Sequence, residues 1–104
     1  MVNGFTEVAK VGEILIGAMK LVQVEYEMII VANVEGNLYA FSDTCTHAEC
    51  ALSEGSLSGD LVECGCHGSQ FNVKTGAVES GPAIEPVPTY AVRVEGGRVL
   101  VGPA

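Results

Sequence analysis

Residues 90–101 read YAVRVEGGRVLV: Tyr90 to Glu95 alternates apolar and polar side chains, Gly96-Gly97 follows, and Arg98 to Val101 is a second apolar-rich run. A period of two places alternate side chains on opposite faces of a strand, and a two-glycine link is a strong hairpin signal. The chain ahead of this hairpin carries more of the same. Met19 to Val24 (MKLVQV) roughly alternates, and Met28 to Val34 (MIIVANV) has the β-branched composition of a buried strand. Glu35-Gly36-Asn37 offers a tight reversal into Leu38-Tyr39-Ala40-Phe41, and 13 Gly and 4 Pro punctuate the chain. No stretch of a dozen residues carries a 3.6-residue period; Val8 to Gly17 has room for one helical turn at most. The reading is all-β, with small antiparallel sheets.

The 104 residues make one domain, 1–104, without room for a second core. A hydrophobic content of 48% excludes intrinsic disorder. Thirteen acidic and five basic residues leave a net charge of −8, which excludes a phosphate-neutralising surface and argues against an anionic membrane. The charge is regional. Residues 21–73 hold no Lys or Arg but carry Glu25, Glu27, Glu35, Asp43, Glu49, Glu54, Asp60 and Glu63, which account for the whole imbalance. The longest apolar run, Met28 to Ala32, is five residues, against the roughly 20 a membrane helix needs. The chain opens without a basic and apolar leader, so a soluble, cytoplasmic protein is expected.

From Ser42 to Pro86 the pattern changes to a loop-rich insertion with only short strand candidates, such as Leu61-Val62-Glu63. A loop segment that long inside a compact domain is usually functional. It holds all four cysteines and both histidines, as Cys45-Thr46-His47-Ala48-Glu49-Cys50 and Cys64-Gly65-Cys66-His67-Gly68-Ser69. Read as ligand spacing this is Cys-x-His, sixteen residues, then Cys-x-x-His, with Gly65 and Gly68 permitting tight turns. Two thiolates and two imidazoles are a complete four-ligand set for a soft or borderline metal. Ordinary core packing is the bland alternative, and two glycine-framed Cys–His pairs count against it. A structural zinc site is the second reading. Zinc fingers normally pair Cys with Cys and His with His, however, whereas each loop here supplies one of each. That division suits a two-iron cluster in which one iron takes both sulfurs and the other both nitrogens.

On those two loops the chain resembles the Rieske 2Fe–2S family. The resemblance extends to the Leu38-Tyr39-Ala40-Phe41 lead-in, Gly76, Gly81-Pro82-Ala83 and the closing hairpin, which look like soluble Rieske-type ferredoxins. It implies the Rieske fold, with a cluster-binding subdomain at about 42–86 inserted into a basal β subdomain of 1–41 and 87–104. It also implies one 2Fe–2S cluster, with Cys45 and Cys64 on the inner iron and His47 and His67 on the outer one. Gly81 and Pro82 would belong to a third loop shielding the cluster. Two ferric ions, two sulfides and two thiolates sum to zero charge, so reduction is easier than for a four-cysteine cluster. Imidazole acidity would rise on oxidation, so the potential would fall at alkaline pH.

The remaining cysteines, Cys50 and Cys66, match positions that form a loop-clamping disulfide in quinol-oxidising members, while many oxygenase ferredoxins lack both. A disulfide is expected, with a buried thiol pair as the alternative; a reducing cytosol counts against the bond. Ser69 matches a serine that donates a hydrogen bond to a bridging sulfide in higher-potential members. Phe71 stands where those members carry a Tyr that donates to a ligand sulfur. With that donor missing, the potential is expected within about −150 to +300 mV and well below the upper end. Gly65 replaces a frequent Pro. Ala48 and Glu49 make a tip ill suited to an apolar quinone pocket.

The function implied is that of a non-catalytic, monomeric one-electron carrier. It would pass electrons from an NAD(P)H-dependent flavin reductase to a terminal oxygenase of the aromatic-ring-hydroxylating dioxygenase type. Docking would be transient, through basic patches on both partners, without nucleic acid or membrane. The alternative is a small electron-transfer subunit of a respiratory, nitrite or arsenite oxidoreductase complex. A zinc-stabilised interaction module is more remote.

Overall fold

The apolar run at residues 28–34 reads as continuous rather than alternating because its strand is buried on both faces. In the computed structural model, which describes residues 4–46, 50–66 and 68–102, this strand is β3 (Glu27–Val34). Ile29 and Val31 point into one core with Ala9, Ile14, Val22, Ala40, Val99 and Val101. Ile30, Ala32 and Val34 point into a second core with Phe41, Leu52, Val62, Phe71, Val73, Cys45 and Cys64. A strand covered on both sides has no solvent face to mark with polar residues.

Around it lie β1 (Thr6–Lys10), β2 (Met19–Val24), β4 (Asn37–Ser42), β9 (Thr89–Glu95) and β10 (Arg98–Gly102). They form a six-stranded antiparallel sheet in the order β1-β10-β9-β4-β3-β2. Its edge strands β1 and β2 approach each other, so the sheet curls around the first core. The Gly96-Gly97 hairpin sets the register Arg98↔Glu95 and Val99↔Val94, and β9 joins β4 through Ala40↔Tyr90 and Phe41↔Thr89. Buried Asn33 donates from its amide to the Ile14 carbonyl and accepts from the Gly36 N–H, fixing the end of β3.

The fold is all-β, as the alternation predicts, with two differences. No strand is expected from sequence before residue 19, yet Thr6–Lys10 pairs with β10. The single 3-10 turn at Val11–Glu13 is the one helical turn for which Val8 to Gly17 has room. The loop-rich stretch is also more ordered than its composition suggests. It contains β5 (Ser56–Ser58), β6 (Leu61–Glu63), β7 (Gln70–Asn72) and β8 (Val78–Ser80), three residues each, in a four-stranded antiparallel sheet. Three residues are too few for a period of two to declare itself, and each strand instead inserts one side chain, such as Val62 or Phe71, into the second core.

Candidate metal centre

Two loops leave strand ends and are closed in the same way. In the first, the Cys45 N–H donates to the Cys50 carbonyl (2.9 Å), and in the second the Cys64 N–H donates to the Ser69 carbonyl (2.8 Å). Each cysteine thus opens a six-residue loop whose last residue turns the chain back. Gly68, which donates to the Cys64 carbonyl, sits at φ +78°, a region that disfavours any residue with a Cβ. Gly65 has no such conformation, and a side chain there would meet only ordinary contacts.

Cys45 and Cys64 are free thiols buried in the second core, 0% and 1% exposed. Cys50 and Cys66 are joined in a disulfide that ties the two loops together, with Cα atoms 6.4 Å apart. The Cys64 sulfur lies within 4.8 Å of both disulfide sulfurs. Cys50, Cys64 and Cys66 therefore form a three-sulfur cluster, but two of its members are consumed by their own bond and offer no thiolate. His47 and His67, with Ala48 and Glu49, lie outside the described residues.

A third loop packs on the other two. Gly81-Pro82 is a cis peptide, and the next residue, Ala83, donates from its N–H to the Ser69 hydroxyl (3.0 Å). Ser69 is fully buried. Among the described residues its hydroxyl accepts this bond and donates none, so its hydrogen is left for an acceptor in the interior. Thr46 donates to the Glu85 carbonyl (2.6 Å), tying the first loop to the third. Phe71, on β7 opposite Val62 and Val78, is fully buried and brings no hydroxyl.

Two residues that position the site have no special place in the sequence pattern. Asp43, to all appearance one more acid of a surface field, is buried. Its Oδ1 accepts from the Ser53 N–H (2.8 Å), its carbonyl accepts from Leu52, and its own N–H donates to Met28. It fastens both ends of the first loop to β3. Thr46 figures in the pattern only as the spacer between Cys45 and His47. An Asp and a Thr just ahead of a turn are the one available signal, since both side chains bond nearby backbone.

The acidity divides accordingly. Asp43 is interior, and Glu35 sits in the β3–β4 turn, a strand length from the loops. Glu25, Glu27, Glu54 and Glu63 are exposed on turns and strand ends nearer the cysteines. Glu27 also accepts a hydrogen bond from the Tyr90 hydroxyl (2.7 Å). Burial, then that bond and the carboxylate's charge, push the Tyr90 phenol up to about 12. Among the described residues no helix is long and apolar enough to cross a membrane.

Residues 4–91 match a family model described as Rieske [2Fe-2S] domain. The chain is 43% identical over 98 residues to the biphenyl dioxygenase ferredoxin subunit of Pseudomonas sp. strain KKS102, covering 93% of this chain and 90% of that one. It superposes on the ferredoxin of carbazole 1,9a-dioxygenase from Nocardioides aromaticivorans IC177 with a TM-score of 0.93 and 31% identity, over 98% of this chain and all of the other (100%). A further match is a chain in the complex of reduced oxygenase and oxidized ferredoxin in carbazole 1,9a-dioxygenase, with a TM-score of 0.91 and 37% identity, over 95% and 93% of the two chains.

Proposed function

The chain belongs to the Rieske [2Fe-2S] domain family, and on that premise we propose that it is the diffusible electron carrier of an aromatic-ring-hydroxylating dioxygenase system. It carries electrons rather than catalysing a reaction, the role its relatives' names give to a ferredoxin subunit. The observation that carries the reading is the pair of buried free thiols, Cys45 and Cys64, on two matching loops held together by Cys50–Cys66.

The donor chemistry fits the family's 2Fe–2S group. Cys45 and Cys64 would hold one iron from the protein interior, and His47 and His67 the other. When bound, such a cluster supplies one-electron transfer. The chain's own residues do the rest. Leu52, Val62, Phe71 and Val73 keep water from the sulfur side. The disulfide, together with Thr46 and Ser69 bridging to the third loop, holds the three loops in one arrangement, so little reorganisation accompanies each transfer. Ser69 retains a hydrogen to offer an acceptor, and Phe71 has none, which favours a potential below about +200 mV within the Rieske span of about −150 to +300 mV. Residues 42–86 act as the cluster-binding subdomain, with Gly81 and Pro82 as its shield, on a basal subdomain of 1–41 and 87–104.

Electrons enter from an NAD(P)H-dependent flavin reductase and leave to a terminal oxygenase. The solved complex of oxygenase with ferredoxin supports the second partner, and the exposed acids near the loops suit basic patches on both. The carrier acts as a cytoplasmic monomer.

The test is anaerobic purification followed by iron and sulfide analysis and redox titration. Two irons and two sulfides per chain, lost together in Cys45→Ala, Cys64→Ala, His47→Ala and His67→Ala, are expected. A colourless protein containing zinc would overturn the reading.

A further inference from the structure

We infer that in the cluster-free chain Cys64 exchanges with the Cys50–Cys66 disulfide and is drawn into a Cys50–Cys64 bond, leaving Cys66 as the free thiol. The inference rests on the proposed function only in taking Cys64 as a ligand, and it deepens that reading by saying what the bound cluster protects.

A disulfide and a free thiol are reactants for exchange whenever the thiolate has access to one of the bonded sulfurs. Here all three sulfurs lie within 4.8 Å of one another. They form a triangle rather than a line, so the Cys64 side chain must rotate to align with the bond being broken. A metal-held sulfur lacks that freedom; a free one has it. Attack on Cys66 would close a tight ring across one intervening residue, far from relaxed disulfide geometry. Attack on Cys50 joins two separate loops instead.

The step balances without an outside oxidant or reductant. The Cys64 thiolate forms a bond to the Cys50 sulfur, the Cys50–Cys66 bond breaks with its electron pair going to Cys66, and the proton that left Cys64 ends on Cys66. Burial sets the direction. Cys64 is 1% exposed, whereas Cys66 is exposed and borders an open cavity of about 320 Å³ lined by Cys50, Ala51, Glu54, Gly65 and Cys66. Exchange leaves the buried sulfur in a disulfide, which has no hydrogen-bond donor to satisfy, and moves the thiol to the exposed position, where water can bond it. The product has lost one ligand, so an oxidised cluster-free chain refuses iron and sulfide until a thiol reductant opens the wrong bond.

The test strips iron from the whole chain with a chelator, anaerobically and without added thiol. It then follows the chain over minutes to hours, the scale of uncatalysed disulfide rearrangement. Free thiols are alkylated in denaturant and located by tandem mass spectrometry. Labels should start on Cys45 and Cys64 and shift to Cys45 and Cys66, the Cys64 label falling as the Cys66 label rises. Labels that stay on Cys45 and Cys64 would overturn the inference. So would loss of label from Cys45, which marks scrambling in an unfolded chain. Cys45→Ser, stripped of metal in the same way, should still move its label from Cys64 to Cys66. Iron content and visible absorption of the untreated protein test the proposed function separately.

Discussion

Ser69 shows how one side chain serves two purposes. Its oxygen takes the Ala83 N–H and its hydrogen remains available inside the second core. Ser69→Ala strands a buried N–H, and such a loss costs about 1–3 kcal/mol. Chemical denaturation of the variant should show that loss, and its midpoint potential should fall if the Ser69 hydrogen serves the cluster as proposed; an unchanged potential would confine Ser69 to a structural role. Tyr90 gives a pH signature outside the cysteine loops. Its phenol is pushed up to about 12, against about 10 in an unfolded chain. Above pH 10 the unfolded state releases this proton before the folded state does. The contribution of Tyr90 is therefore fully present below pH 10 and is lost as pH rises toward 12. Ultraviolet titration at the phenolate band should show one tyrosine lagging the others, and Glu27→Gln should bring it back toward them.

Among the elements, legibility in the sequence depends on length and locality. The β9–β10 hairpin, β2, β3 and β4 are long enough for alternation or β-branched composition to mark them. Strands β5 to β8 are not, at three residues each, and β1 is hidden because its partner β10 lies some ninety residues away in the chain, a distance no local window spans. The cysteine and histidine pattern of the loops is legible because ligand spacing is local. The fastenings of those loops are not: Asp43 to Ser53, Thr46 to Glu85 and Ser69 to Ala83 span up to 39 residues and use residues common in any loop. Gly76, in the turn between β7 and β8, belongs to both classes. It sits at φ +82°, and a Cβ there would run into the Val87 carbonyl. The conformation alone costs a side chain roughly 1–2 kcal/mol, so Gly76→Ala should lower the free energy of unfolding by at least that much. A variant as stable as the parent would mean that the β7–β8 turn shifts freely.

At the scale of the whole molecule, a net charge of −8 is partly interior and partly remote. Among the described residues, the exposed share near the cysteine loops is Glu25, Glu27, Glu54 and Glu63. If these acids steer basic partners, the rate of reduction by the reductase should fall as salt rises from about 0.01 M to 1 M, over which the Debye length shrinks from ~30 to ~3 Å. A flat rate would leave them as a solubilising surface. The molecule spans 39 × 26 × 19 Å, so a group held between its loops is never far from a partner, and a carrier needs little else. On the proposed function, two thiolates and two imidazoles from this one chain share a two-iron cluster. Pulsed electron paramagnetic resonance of the reduced protein tests it most directly. Strong coupling of the unpaired electron to nitrogens of two histidines is expected, one of them lost in each of His47→Cys and His67→Cys if the cluster survives. A reduced cluster with no strongly coupled nitrogen would contradict it.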